Sequence, residues 1–165
     1  MKKNVSLIGM PAVGKSTVGV LLAKKLGYGF MDTDIVIQTE EDQTLAEIIA
    51  EKGLDAFLEI EKRHVVNVDC DQHVIATGGS VIYKEEAMAR LAEISQVIYL
   101  AIDLDVLMTR LSDVTARGVA IGPGKGMGDL HAERTPLYEK YCDIKVDCGT
   151  LKPAEVVAAV MAKLS

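Results

Sequence analysis

The sequence predicts an α/β fold, three-layer α/β/α, built on a five-stranded parallel sheet. Short apolar runs alternate with stretches of helical periodicity along the chain, and a glycine-containing loop joins the first run to the first helix. The 165 residues, 49% hydrophobic and 25% charged, suit one domain over 1–165 with its own core.

Val5-Ser6-Leu7-Ile8 reads as the first strand, and Val18, Leu21, Leu22 and Leu26 mark one face of a helix that Gly27 ends. Phe30-Met31 is the tail of a short second strand closed by Asp32-Thr33-Asp34, and Glu40-Glu41-Asp42 reads as a solvated loop. Thr44-Leu45-Ala46-Glu47 is a capping box, which opens a helix that Gly53 stops. Phe57, Ile60, His64 and Val68 form the next helical stripe. Val74-Ile75-Ala76 and Val97-Ile98-Tyr99-Leu100 are the third and fourth strands. Leu104 to Leu111 reads as a helix, a further helix carries Leu137 and Tyr141, and Ile144-Lys145-Val146 is the fifth strand. Pro153 suits the first turn of the last helix.

Composition narrows the function. With 18 Lys and Arg against 24 Asp and Glu the formal charge is −6, which argues against a broad basic surface for nucleic acid. The sequence contains no apolar run of about 18 residues, and its opening apolar pentad is too short for a secretory signal, so a cytoplasmic protein is expected. Cys70, Cys142 and Cys148 lack metal-type spacing and read as free thiols; His64, His73 and His131 are scattered and receive no chemistry.

Gly9-Met10-Pro11-Ala12-Val13-Gly14-Lys15-Ser16 matches G-x-x-x-x-G-K-[ST] between a strand and a helix, the context that gives the match its meaning. Glycines let the loop curl until its N–H groups, those of Ala12 and Val13 included, face phosphate, and the helix N-terminus adds positive potential. Lys15 would reach the β- and γ-phosphates of ATP, Ser16 would bind Mg²⁺, and Thr17 could donate to an α-phosphate oxygen. Alone, this loop leaves GTPase, motor, nucleotide kinase and metabolite kinase open. Without an N-K-x-D sequence and with so short a chain, a small kinase is favoured.

Gly9 to Thr17, Met31-Asp32-Thr33-Asp34, Phe57 with Glu61, Ala76-Thr77-Gly78-Gly79 and Arg134-Thr135-Pro136-Leu137-Tyr138 together resemble the ordered signatures of the shikimate kinase family. The resemblance spans nearly the whole chain. It implies a P-loop kinase fold and transfer of the ATP γ-phosphoryl group to the 3-hydroxyl of shikimate. By the same resemblance Asp32 holds the Mg²⁺ shell and Asp34 binds substrate hydroxyls and accepts the proton. Gly78 and Gly79 let substrate approach the backbone, and Arg134 grips its carboxylate. Arg117 reaches the transferring phosphate and Arg110 lies near adenine. Glu61 could hold the arginine of the substrate site. A lid is expected over about 113–128, rich in glycine, with Lys125 as a candidate second phosphate contact and Gly118 to Gly128 mobile without ligand. The expected partner is a small hydroxy acid, with no nucleic acid, no membrane and a monomeric state.

The chain departs from the family pattern at three places. Ser80 stands where a third glycine is usual, Arg117-Gly118 where the family has Arg-Pro, and Leu58 where the family has a second arginine for the shikimate carboxylate. Lys62 or Arg63 could substitute from the same helix, Lys62 lying nearer the same face. Two alternatives to shikimate phosphorylation therefore stand beside it: a kinase for another small polyol or hydroxy acid, and a nucleotide-binding regulator without turnover.

Overall fold

The computed structural model describes residues 2–111 and 119–164. Strands β1 (Asn4–Ile8), β2 (Gly29–Asp32), β3 (His73–Ala76), β4 (Ser95–Ala101) and β5 (Ile144–Asp147) form one sheet in the order β2-β3-β1-β4-β5, every pair parallel. Helices α1 (Lys15–Leu26), α2 (Thr33–Glu41), α3 (Leu45–Lys52), α4 (Leu54–Val66), α5 (Glu85–Ile94), α6 (Leu104–Thr109), α7 (Met127–Tyr141) and α8 (Pro153–Leu164) complete a three-layer α/β/α arrangement.

Strand β1 is buried at all five positions, as expected of a central strand covered on both faces. Register then places the functional loops. Leu7 and Asp32 both pair with Ala76, so the loops that follow β1, β2 and β3 leave the sheet side by side at its carboxyl edge. Thr77 reinforces this junction, its N–H and its Oγ1 both donating to the Leu7 carbonyl at 3.2 and 2.9 Å.

The main apolar cluster fills the space around the sheet. A second, smaller one joins Ile37, Leu45, Ile48, Phe57, Ile60 and Ala120, with Leu58 packed against it. Gly27 ends α1 in the left-handed region at φ 71°, and the Thr44–Glu47 capping box opens α3.

Several local expectations are corrected. Leu21 faces outward, and Gly19 and Ala23 share the buried face of α1 with Val18 and Leu22, because the contact with β2 and β3 is close enough to require small residues. Thr33 to Glu41 is a helix rather than a strand end followed by a loop. Asp32 caps it, accepting from the Asp34 and Ile35 N–H groups. Glu41 is not solvated but pairs with Arg63, His64 and Lys52. Helix α5 and the short 3₁₀ turn Val81–Tyr83 had no counterpart in the sequence reading. The buried face of α7 carries Leu130, Arg134 and Tyr138, while Leu137 and Tyr141 are half-buried. Since α7 begins at Met127, Gly128 belongs to a helix and not to a loop.

Candidate active site

Gly9 sits at φ 150°, where a Cβ would lie 2.7 Å from the Leu100 carbonyl oxygen, and Gly14 sits at φ 103°. These two positions demand glycine, and between them Ala12 is also left-handed at φ 64°. No side chain caps α1, so its first N–H groups remain free to meet an anion. Lys15 is buried and folds back on the loop, donating to the Gly9 and Met10 carbonyls at 2.8 and 2.9 Å. Burial pushes its pKa down, while Asp34 and Asp32 oppose that shift.

Ser16 Oγ donates to Asp32 Oδ2 at 2.5 Å, which places a hydroxyl and a carboxylate, both suited to a hard cation, at the foot of the loop. Asp34 stands two residues on, at the start of α2. Its Oδ1 is buried and has no hydrogen-bond partner among the described residues. Burial, and then the negative charge of Asp32, hold its pKa above the ordinary aspartate range.

Across the cleft lies the Gly78-Gly79 turn. A Cβ on Gly78 would sit 2.6 Å from Glu61 Oε2 and 2.8 Å from Asp34 Oδ1, and one on Gly79 would sit 2.9 Å from Arg134 Nη1. The turn therefore brings main chain where no side chain fits. Tyr138 clamps it by donating from its hydroxyl to the Gly79 carbonyl at 2.6 Å. Arg134 is 1% exposed, donates from Nε to the Tyr83 hydroxyl at 3.1 Å and from Nη2 to the Ala120 carbonyl at 2.6 Å, and stacks over the Tyr83 ring. Among the described residues no carboxylate pairs with it. A buried guanidinium without a counter-anion is costly, and an anionic ligand is its natural complement.

These groups line one cleft of about 670 Å³, which takes in Lys15, Ser16, Thr17 and Asp32 together with Asp34, Gly78, Gly79 and Arg134. Arg110 stands at the edge of the loop, donating to the Val13 and Gly149 carbonyls. Arg117 lies outside the described residues. Lys125 is exposed and pairs with Glu133 at 2.6 Å rather than reaching the cleft.

The substitutes for the absent second arginine do not enter the site. Lys62 pairs with Glu59 and Arg63 with Glu41, on the outer side of α4. Leu58 packs on the small apolar cluster. Nor does Glu61 hold Arg134: its Oε1 accepts from Ser80 at 2.8 Å, and its Oε2 has no partner among the described residues. Tyr83 and Ala120, and the clamp that Tyr138 makes on Gly79, are not legible in the sequence because each acts through a contact between residues distant in the chain.

A strand, a phosphate loop and a helix facing a second, anion-accepting wall define a P-loop kinase for small molecules. The chain belongs to the shikimate kinase family. The model of that family matches residues 11–165, and its members are ATP-dependent phosphotransferases. The chain is 35% identical over 162 residues to a shikimate kinase of Thermodesulfovibrio yellowstonii, covering 96% of this chain and 93% of the relative. It is 35% identical over 168 residues to one of Mycobacterium leprae, covering 99% and 83%. Among solved structures, the shikimate kinase of Aquifex aeolicus matches with TM-score 0.83 and 31% identity over 98% of this chain and 95% of that one. The Acinetobacter baumannii shikimate kinase, solved in complex with shikimate, shares the fold with TM-score 0.90 at 23% identity, covering 99% and 93%.

Proposed function

We propose that this chain transfers the γ-phosphoryl group of ATP to the 3-hydroxyl of shikimate. The observation that carries the reading is a single cleft joining a phosphate-binding loop to a buried guanidinium that no described carboxylate neutralises, with Asp34 between them. A triphosphate laid along the start of α1 offers Lys15 a stronger partner than the carbonyls of Gly9 and Met10, so the ammonium turns to the β- and γ-oxygens. Ser16 and Asp32 would hold Mg²⁺, which when bound neutralises phosphate charge. Arg110 marks the adenine end, and Arg117 is assigned to the transferring phosphate by resemblance.

At the other end Arg134 receives the acceptor carboxylate and the glycine turn admits its ring. Asp34 accepts the hydroxyl proton as the alcohol oxygen bonds to the γ-phosphorus and the bond to ADP breaks. The lid expected over about 113–128 lies outside the described residues from 113 to 118 and ends within α7; from its described part, Ala120 joins the apolar cluster and accepts from Arg134, which supports a role in shielding the transfer from water. We read the enzyme as a cytoplasmic monomer serving aromatic amino acid synthesis.

Leu58 favours a second reading, in which the acceptor is another small polyol or hydroxy acid. One lost charge-assisted hydrogen bond weakens binding by very roughly ten- to a hundredfold. A coupled ADP-release assay over shikimate, quinate, gluconate and simple hydroxy acids decides between them. Shikimate is expected to give the highest kcat/KM, with a raised KM. A higher value on another alcohol moves the assignment to that acceptor, and no transfer to any alcohol leaves a nucleotide-binding regulator.

A further inference from the structure

Glu61 is 1% exposed, lies under the glycine turn, and plays no part in the chemistry above. Ser80 donates to one of its oxygens, and among the described residues the other, Oε2, has no donor. Asp34 Oδ1 is equally without one, and both atoms lie within 2.8 Å of the point a Gly78 Cβ would occupy. Two ionised carboxylates cannot share such a position cheaply.

We propose that Glu61 is a positioning residue for Asp34: held as the neutral acid beneath Gly78, it leaves Asp34 the single anion on that side of the turn, and its ionisation drives the two carboxylates apart. This rests on the phosphotransfer reading for its kinetic consequence. The groups that face Glu61 are Asp34 from α2, Lys15 from α1, Arg134 from α7 and the Ser80 hydroxyl. The other charges packed on α4 meet different residues: Lys84 meets Glu59, Glu86 meets Lys62, and Glu41 meets Arg63 and His64. Burial first, and the Asp34 charge second, push the Glu61 pKa up to about 8, and neither Arg134 nor Lys15 overcomes them.

The test compares wild type with Glu61→Gln, which keeps the shape and the Ser80 contact but carries no charge. At saturating MgATP, where the triphosphate keeps Lys15 protonated, wild-type kcat/KM for shikimate should fall above about pH 8, up to about tenfold per pH unit. In Glu61→Gln it should stay level over the same range. The same fall in both proteins, or loss of activity in Glu61→Gln at every pH, overturns the proposal.

Melting without ligand is the second readout. A folded pKa above the unfolded one adds stability below the unfolded value and loses it as pH rises towards about 8. The Tm of Glu61→Gln should therefore gain on wild type between pH 5 and pH 8.5, and a constant difference overturns the proposal. Absence of shikimate turnover by wild type at every pH removes the functional reading alone; the melting series then decides this one.

Discussion

Lys15→Ala should lower turnover by about 10²–10³-fold or more while the protein stays folded. The effect is large because Lys15 is the cation of the loop and already lies inside it, desolvated, donating to two loop carbonyls. Fixed charge in a dry site needs no rearrangement when negative charge shifts onto the departing ADP. The variant also removes the cation that meets the β- and γ-phosphates, so binding of MgATP should weaken together with kcat. Rate measurements with a melting control check this. Full activity in a folded Lys15→Ala protein removes the role assigned to the loop.

Asp34→Asn should lower kcat by about 10²–10⁴-fold and leave MgATP binding close to wild type. The amide keeps the size of the side chain, and the Asp34 N–H bond to Asp32 that starts α2 is made by the backbone and survives. What is lost is the capacity to take the alcohol proton. Burial and Asp32 raise the affinity of this carboxylate for a proton, which suits a general base better than a solvated aspartate would. Single-turnover kinetics at saturating acceptor separate this from a binding defect. A fall of less than tenfold would make Asp34 a contact for substrate hydroxyls only.

Much of the site was legible because its chemistry is local. The loop from Gly9 to Thr17 lies in one stretch, and its glycines are demanded by backbone angles that no other residue takes easily. Strands β1, β3 and β4 were legible from short apolar stretches, Val74 to Ala76 and Val97 to Ala101 unbroken and β1 interrupted at Ser6, as strands buried on both faces tend to be. Helix α2 was hidden because Asp32-Thr33-Asp34 has the composition of a turn, and the same Asp32 that closes β2 also caps the helix. In α7 the buried stripe includes the charged Arg134, so apolar periodicity alone points to Leu137 and Tyr141 instead. The partners of Arg134 come from positions 83 and 120, and the two carboxyls flanking Gly78 from positions 34 and 61. Only the folded chain brings them together.

Leu58 is the feature that shapes the acceptor question. Its side chain offers a carboxylate no hydrogen bond, and in the fold it packs against the apolar cluster that also takes Ala120. A single guanidinium can still bind a carboxylate through two parallel hydrogen bonds, and Arg134 turns Nη1 toward the glycine turn.

The most direct measurement is ³¹P NMR of the purified protein with MgATP and shikimate. The account predicts a phosphomonoester signal growing in step with ADP, absent when shikimate is left out. ATP that stays intact, or that yields only inorganic phosphate at the same rate with and without the acceptor, would contradict it.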